Sequence, residues 1–301
     1  MDRERKYTSA DVKVSKDGVR YIDINDVFGK ALSLTEGNSK TGSHVWTYNT
    51  SIYYTCDHNC ECYKGYTDEN GVHHDAPCYA QTNLYLIPDN MAGYTNNFLY
   101  THRHTVEEIS ASILAEMDKK NFSLFRYFTC GDFTEKVLKA AVIVAKARPG
   151  VKFWAYTKKY GIINRYCDEN GGRRAIPDNL TIIFSHWMNH DGTYFPMNNP
   201  YNFPTSEFIP CGREDLAEHV THICPCSNPA VLANCETCEH PCYDLKDGQS
   251  MALKEHSTST SRTRDKELSA AHKTLKDAAK AIKEQEKAIR KALKEQHKKT
   301  A

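Results

Sequence analysis

Nine of the twelve cysteines in this chain of 301 residues fall into two groups with short spacings. The first group contains Cys56, Cys60, Cys62 and Cys78, and the second contains Cys224, Cys226, Cys235, Cys238 and Cys242. Grouped thiolates favour zinc or iron–sulfur centres over magnesium and calcium, which prefer oxygen ligands. Secreted disulfide scaffolds are usually far shorter than this chain, so the grouping predicts metal sites rather than a disulfide framework.

The first group is compatible with two kinds of centre. Three thiolates from one loop leave one iron of a four-iron cluster without a protein ligand, so that a small cofactor can chelate it. Four thiolates, or three with one of His58, His73 and His74, would instead close a tetrahedral zinc site. The spacing is C-x3-C-x-C, followed by a distant fourth thiol. It does not distinguish the two kinds of centre, and it does not show which three sulfurs bind.

The second group offers five thiols for four coordination positions, so either Cys224 or Cys226 is predicted to be spare. Its C-x2-C-x3-C spacing after an upstream Cys-Pro is typical both of auxiliary iron–sulfur segments and of zinc ribbons. An auxiliary cluster would relay electrons or bind substrate, whereas zinc would only hold the end of the fold together. The remaining cysteines are predicted to be buried small hydrophobic side chains: Cys130, Cys167 and Cys211.

An alternation of strand and helix patterns surrounds and follows the first group. Apolar and aromatic runs predict strands at Val45 to Thr55, Phe122 to Thr129, Val151 to Tyr156 and Leu180 to Phe184. Amphipathic patterns predict helices at Thr105 to Lys119, Thr134 to Ala147 and Lys158 to Tyr166. Strands separated by helices in this order indicate an α/β fold with a mostly parallel sheet.

Polar residues stand where these predicted strands end. Gly131 and Asp132 follow the second strand, Lys158 the third and His186 the fourth. Ligands of parallel sheets gather at the carboxyl ends of the strands, so we expect these residues and the first thiol group to share one rim. Asp132 has an alternative role, because together with Glu135 it is placed to cap the helix that follows.

The thiol loop resembles that of radical S-adenosylmethionine enzymes, which carry three cysteines after the first strand of a partial (β/α) barrel. Their usual spacing is C-x3-C-x2-C, from which this chain departs by one residue. The turn at Gly131 and Asp132 is similar to the acidic turn by which those enzymes hold the amino group of the cofactor. The resemblance implies a partial (β/α) barrel, a [4Fe–4S] cluster, S-adenosylmethionine, and contacts from Lys158 and His186 to the substrate or the methionine carboxylate.

A second resemblance rests on segments spread along the chain. They are Gly37-Asn38-Ser39-Lys40, Cys56, Cys78-Tyr79-Ala80, Gly131-Asp132-Phe133, Trp154-Ala155-Tyr156-Thr157 and the final cysteine group. Over about residues 30 to 245 the chain resembles the phage gene product 88 family, which occurs in phages and mobile elements and looks like a distant radical S-adenosylmethionine relative. The family's first group is similar to C-x5-C-x3-C-Tyr-Ala, so Tyr63 to Pro77 is an insertion. The resemblance implies Cys56, Cys60 or Cys62, and Cys78 as the first ligand set.

The net charge of +1 conceals an uneven distribution. Residues 262–301 contain thirteen Lys and Arg against six Asp and Glu, a local charge of +7 that leaves −6 for the rest. A nucleic-acid groove across the body of the protein is therefore not indicated. No apolar run reaches the roughly 18 residues of a membrane span, and no signal region follows the charged start, so no membrane partner is expected.

The patterns divide the chain into five parts. They are an N-terminal segment (1–44), the barrel core with the first thiol group (45–222), a cysteine-rich auxiliary metal segment (223–256), a Ser/Thr linker (257–263) and a long basic amphipathic helix (264–301). In the last part Leu268, Leu275, Ile282 and Ile289 recur every seven residues, with weak positions between them. This helix is predicted to be solvated and to dock or self-associate loosely. Its basic surface is compatible with contact to nucleic acid and with a plain charged face.

These observations predict a cytoplasmic iron–sulfur enzyme of the radical S-adenosylmethionine type. It would hold one [4Fe–4S] cluster, or two if the second thiol group also binds iron, and would require a reductant protein and a substrate. The alternative is a zinc-stabilised binding protein that contacts nucleic acid through its basic C-terminal helix.

Overall fold

The computed structural model describes residues 5–38, 41–67, 70–71, 73–74, 78–81, 83–186, 194–209, 220–225 and 233–254. The strands are β1 (Val12–Val14), β2 (Arg20–Ile22), β3 (Thr35–Glu36), β4 (Val45–Tyr48), β5 (Tyr66–Thr67), β6 (His73–His74), β7 (Leu124–Tyr127), β8 (Lys152–Thr157), β9 (Leu180–His186), β10 (Thr205–Ile209), β11 (His222–Ile223) and β12 (Ser250–Lys254). The α-helices are α1 (Ile52–Thr55), α2 (Glu61–Lys64), α3 (Pro88–Arg103), α4 (Val106–Lys120), α5 (Glu135–Ala147) and α6 (Tyr160–Glu169).

The main sheet contains eight strands in the order β11-β12-β10-β9-β8-β7-β4-β3. Its neighbouring strands run parallel, except that β3 is antiparallel to β4. β1 pairs with β2, and β5 with β6, in separate two-stranded antiparallel sheets. The predicted α/β fold with mostly parallel strands is confirmed.

The two faces of the main sheet are covered differently. On one face Phe125, Tyr127 and Phe153 form a core with apolar side chains of α4, α5 and α6. On the other face Trp154 and Ile183 pack against the segment that carries the second thiol group. Because both faces are buried, the strands are almost continuously apolar instead of alternating between apolar and polar residues.

The first predicted strand is shorter than expected. β4 ends at Tyr48, and the residues predicted to extend it form the single helical turn α1. The carbonyl oxygen of Ser51 accepts the N–H groups of Tyr54 and Thr55, both at 3.2 Å, and the Thr55 hydroxyl at 2.9 Å. These local hydrogen bonds outweigh the strand preference of the aromatic and β-branched residues in this stretch.

The sequence patterns did not predict α3, although it has 16 residues. Its buried side includes the polar residues Thr95 and Asn97. The Asn97 amide donates to the carbonyl oxygens of Ser33 and Asn49, each at 2.9 Å, and thereby fixes the preceding chain to the helix. Apolar side chains of α3 are buried on the same side, but the buried polar residues between them interrupt the hydrophobic period that would indicate the helix.

The helices α4 and α5 begin with different caps, and the predicted capping role of Asp132 is wrong. Thr105 and Glu108 form a capping box at the start of α4, with hydrogen bonds of 3.2 and 2.8 Å. At α5 the N-cap is Thr134, whose hydroxyl accepts from Val137 N–H at 3.4 Å. Asp132 does not cap α5, because its carboxylate is bonded to the neighbouring strand end, as described below.

The predicted cysteine-rich segment contributes a strand to the main sheet. β12 pairs in parallel with β10 on one side and with β11 on the other. The predicted linker (257–263), the predicted long helix (264–301), Cys211 and Cys226 lie outside the described residues. None of the helices in the described ranges combines the length and the apolar character that a membrane span requires.

Candidate functional site

One buried amide joins the ends of β4 and β7. The side-chain oxygen of Asn49 accepts hydrogen bonds from Thr129 N–H at 2.7 Å, from the Thr129 hydroxyl at 2.9 Å and from Cys130 N–H at 3.1 Å. The carbonyl oxygen of Cys130 accepts Thr50 N–H at 3.0 Å. The first thiol loop therefore starts from a strand end that is fixed against its neighbour.

Gly131 permits the close contact between these strand ends. It has a φ of +92°, and a Cβ atom there would overlap the Thr50 hydroxyl and lie 2.6 Å from the Thr50 carbonyl oxygen. Only glycine fits such a position. The next residue, Asp132, donates its N–H to the Thr55 hydroxyl at 3.0 Å, so it lies beside the start of the thiol loop.

The structure brings the four thiols of the first group into one cluster. Cys60 and Cys62 are 5% and 4% exposed, and the half-buried Cys56 and Cys78 pack against the same cluster. Cys78 N–H donates to the Cys62 carbonyl oxygen at 3.1 Å, which returns the distant fourth thiol to the other three. The buried Cys130 contributes a fifth sulfur.

Within the first thiol group, backbone N–H groups point at the sulfurs of Cys60 and Cys78. The sulfur of Cys60 accepts from Cys62 and Tyr63, and the sulfur of Cys78 accepts from Ala80 and Gln81. A donor aimed at sulfur stabilises the thiolate, which is the form that binds metal. Cys60 and Cys78 are therefore the two thiols of the loop best prepared to act as ligands.

The thiols of the first group differ in acidity. The Cys62 thiol donates to the Cys60 sulfur and, together with the positive charge of Lys158, lowers the pKa of Cys60 to about 6 although burial opposes the shift. Burial raises the pKa of Cys62, Cys56 and Cys78. Cys60 is therefore the most acidic thiol of this group.

Lys158, which directly follows β8, lies beside the same thiols. Burial alone would lower its pKa, but the nearby Cys62, Cys60 and Cys78 raise the pKa of Lys158 overall. Its ammonium group is consequently charged throughout the physiological range and favours thiolates in the loop. The predicted proximity of Lys158 to the first thiol group is observed.

Asp132 is the acidic member of the site. Its carboxylate accepts from the Thr157 hydroxyl at 2.6 Å, from Lys158 N–H at 2.9 Å and from Phe133 N–H at 2.8 Å. Burial raises the pKa of Asp132 despite these hydrogen bonds. The same side chain lies in electrostatic contact with Cys56, so the rim of β4, β7 and β8 collects thiols, a cation and a carboxylate.

His186 lies at the end of β9 and has different neighbours. Its ring stacks on Tyr194 at 4.2 Å between centroids, and its Nδ1 is 3.9 Å from a carboxylate oxygen of the buried Glu207. Tyr160 lies between the end of β9 and Lys158, since its hydroxyl donates to the Ser185 carbonyl oxygen and its ring lies near Lys158. His186 therefore belongs to an adjoining part of the rim rather than to the thiol loop.

The second thiol group lies on the face of the sheet instead of at its rim. Four of its members line one small cavity with Trp154 and Tyr243: Cys224, Cys235, Cys238 and Cys242. The Tyr156 hydroxyl on β8 donates to the Cys242 sulfur at 2.8 Å. The fifth predicted member, Cys226, lies outside the described residues.

In the parts of the chain that the structure describes, no three or more His, Cys, Asp or Glu side chains are arranged to hold a metal ion. The ten described cysteines are free thiols. Within each group the sulfurs lie in electrostatic range of one another. The donor chemistry of both groups is that of soft-metal ligands.

Sequence reasoning missed several residues that shape the site. Asn49 and Thr55 position the rim, and Cys130 adds a sulfur to the cluster. Arg126 on β7 carries a half-buried positive charge. The signal for Asn49 was available, because Asn49-Thr50-Ser51 is a polar run that interrupts the apolar pattern of the predicted first strand. No comparable local signal marks Cys130 or Arg126.

Comparison with known proteins matches the part of the chain that forms this rim to one family. The family model described as gene product 88 matches residues 13–205, which include the first thiol loop, Gly131, Asp132, Lys158 and His186. The match ends before the second thiol group. No curated protein and no solved structure matches the chain. Because the family model covers more than half of the sequence, the chain belongs to the gene product 88 family.

Proposed function

We propose that this protein is an iron–sulfur enzyme of the radical S-adenosylmethionine type, with its cluster in the first thiol loop. The observation that carries the proposal is the convergence of buried thiols on Lys158 and Asp132 at the carboxyl ends of β4, β7 and β8. Such rims are where parallel α/β sheets bind their ligands.

The residues fit a [4Fe–4S] cluster with three protein ligands. Cys60 and Cys78 accept backbone N–H groups and so favour the thiolate, and Cys56 precedes them in the loop beside Asp132. The Cys62 thiol instead keeps its proton and donates a hydrogen bond to the Cys60 sulfur. We therefore assign Cys56, Cys60 and Cys78 as ligands. A cluster held in this way supplies an iron corner without a protein ligand and an electron for the reductive cleavage of S-adenosylmethionine.

The charged residues at the rim have complementary roles in this proposal. Lys158 balances part of the negative charge of three thiolates in a buried environment. Asp132 presents a carboxylate, oriented by Thr157 and by the backbone, to the amino group of the methionine moiety. His186 on β9 and Glu207 on β10 form the wall against which the substrate binds.

The sheet topology supports the partial (β/α) barrel that this enzyme class requires. β4, β7, β8, β9 and β10 neighbour one another in sequence order and run parallel. Helices follow β7 and β8, as in repeated β/α units. A sheet of this kind, curved around the rim, would enclose the cofactor.

The test is anaerobic purification followed by reconstitution with iron and sulfide. We expect a brown protein with about four irons and four sulfides in the first site, and release of 5′-deoxyadenosine when dithionite and S-adenosylmethionine are added. C60S and C78S should lose both the iron and the cleavage. C167S is the matched control, because Cys167 is a buried thiol in the core formed with α6.

Two results would contradict the proposal. One is a colourless protein that binds zinc in the first loop, and the other is an iron-loaded protein that leaves S-adenosylmethionine intact. The first result would favour the alternative of a zinc-stabilised binding protein. The charge of +7 over residues 262–301 supports nucleic acid as its partner, and a steep loss of affinity with salt would be the mark of such binding.

A further inference from the structure

The second thiol group has the features of a site that differs from the first. Cys224, Cys235, Cys238 and Cys242 surround one small cavity that is walled by Trp154, Pro241 and Tyr243. Among the described residues, none of those that line this cavity carries a carboxylate. Four sulfurs on one cavity match the number that a tetrahedral ion requires, with no position left over for a cofactor or substrate.

Hydrogen-bond donors reach two of the four sulfurs. His240 N–H, two residues along the chain, donates to the Cys238 sulfur, and the Tyr156 hydroxyl donates to the Cys242 sulfur. The side chain of Asn234 accepts the N–H groups of Glu236 and Thr237 at 2.9 and 3.0 Å, and this closes the turn that holds Cys235 and Cys238 together. Donors of this kind stabilise metal-bound thiolates and orient them.

The surroundings also supply a counter-charge. Arg126 lies half-buried on the same face of the sheet, with its guanidinium 5.1 Å from the centre of the Tyr156 ring and in electrostatic contact with Cys235. The ion pairs found within the described ranges do not include Arg126. A desolvated cation is costly unless an anion lies nearby, and four thiolates around a divalent ion carry a net charge of −2.

The segment that bears these thiols is attached to the sheet at several points. Cys224 N–H donates to the Ala252 carbonyl oxygen at 2.8 Å, which holds this thiol beside β12. The Thr181 hydroxyl donates to the Tyr243 carbonyl oxygen at 2.7 Å, and the Tyr243 ring lies 5.3 Å from that of Trp154. The cavity is therefore built jointly by the sheet and by residues 233–245.

We propose that Cys224, Cys235, Cys238 and Cys242 form a closed four-thiolate zinc site that fastens residues 233–245 to the second face of the main sheet. On the sheet side of the site, Arg126 balances the negative charge of the thiolates and the Tyr156 hydroxyl orients the Cys242 thiolate. The site is structural, since all four positions around the ion are taken by protein. This inference does not depend on the function proposed for the first loop.

The test uses the full-length chain with the first group removed by the substitutions C56S, C60S, C62S and C78S. We expect about one zinc and no iron per chain by mass spectrometry, and cobalt in its place should show the absorption of tetrahedral thiolate coordination. Adding C238S should reduce bound zinc at least about fivefold, whereas adding C167S should leave it unchanged.

A second measurement covers the case in which the quadruple variant fails to fold. In the otherwise unaltered chain, C238S and C242S should each lose about one zinc per chain and leave any metal bound at the first loop unchanged. Iron with sulfide at the second group, or unchanged zinc in C238S and C242S, would overturn the assignment. Loss of S-adenosylmethionine cleavage alone would bear on the first loop and leave this site unaffected.

Discussion

The two thiol groups occupy contrasting parts of one sheet. The first lies at the carboxyl ends of β4, β7 and β8, where backbone contacts at Gly131 and Asn49 bring ionisable side chains together. The second lies on the face of the sheet, where aromatic side chains and a tyrosine hydroxyl surround the sulfurs. The first thiol group therefore lies beside ionisable side chains that can contact a polar ligand. The second lies beside aromatic side chains that leave little room for one.

The contrast shows that thiol spacing alone does not determine what a cysteine group does. Both groups have short spacings typical of soft-metal sites, yet only the first is joined by Lys158 and Asp132. In our proposals, the neighbours that sequence-distant strands bring to the sulfurs are what would distinguish a reactive centre from a structural one.

The largest effect is expected from G131A. The added methyl group would overlap Thr50, and alanine is strained at a φ of +92°, so unfolding free energy should fall by more than about 3 kcal/mol. Urea denaturation measures the change. G150A is the control, because nothing lies within 4 Å of a Cβ atom there and its φ is ordinary, and its stability should differ little from that of the parent. Similar losses for both variants would show that the strand ends are not held by close contact.

N49A should have the next largest effect. It leaves the buried N–H groups of Thr129 and Cys130 without their acceptor, which should cost about 3 kcal/mol of unfolding free energy. The control is N170A. Asn170 is exposed and its amide donates to the Tyr166 carbonyl oxygen of the same helix, so the free energy of unfolding should change by less than about 0.5 kcal/mol. An N49A protein as stable as N170A would mean that the rim is held by other contacts.

K158M tests the electrostatics of the first group. The pKa of Cys60 lies at about 6, below the ordinary value of 9.0. Ionisation of Cys60 therefore makes its full contribution to the free energy of unfolding above pH 9, and this contribution is lost as the pH falls below 6. Removing the positive charge should move the pKa upward by about one unit. The pH dependence of Cys60 alkylation in metal-free protein, followed by peptide mass spectrometry, gives the midpoint. K152M, which removes an exposed lysine paired with Asp244, should leave that midpoint in place.

Y156F should have the smallest effect and should be confined to the second group. It removes the hydroxyl that donates to the Cys242 sulfur, at a cost of about 1 kcal/mol, and should speed zinc loss to a chelator several-fold. Iron content and S-adenosylmethionine cleavage at the first loop should not change. Y166F is the control, since Tyr166 lies on the opposite face of the sheet, packed with the core around α5 and α6. Equal zinc-loss rates in both variants would contradict the role given to Tyr156.

The sequence was most informative where a signal is local. The strands at β7, β8 and β9 and the helices α4 and α5 were predicted within a few residues, since their apolar runs and caps are contained in short windows. Asp132 and Lys158 were found because they directly follow such strands. The spacing of the cysteines along the chain is enough by itself to identify both thiol groups.

Contacts between distant parts of the chain were not predictable in this way. Asn49 acts on residues about 80 positions away, and Asp132 turns towards Thr157 instead of the helix it precedes. α3 was missed because buried polar residues such as Asn97, whose amide bonds to backbone, interrupt its apolar pattern. These choices depend on which strands become neighbours, and no window of sequence contains that information.

The placement of β12 between β10 and β11 has a consequence for how the protein is made. β11 pairs with β12, which lies 27 residues later in the chain, so residues 222–223 cannot join the sheet until residues 250–254 have been synthesised. Chains leave the ribosome amino end first, and a strand that must wait exposes its edge and its thiols to solvent in the meantime. The end of the main sheet formed by β10, β12 and β11 is therefore completed last during synthesis.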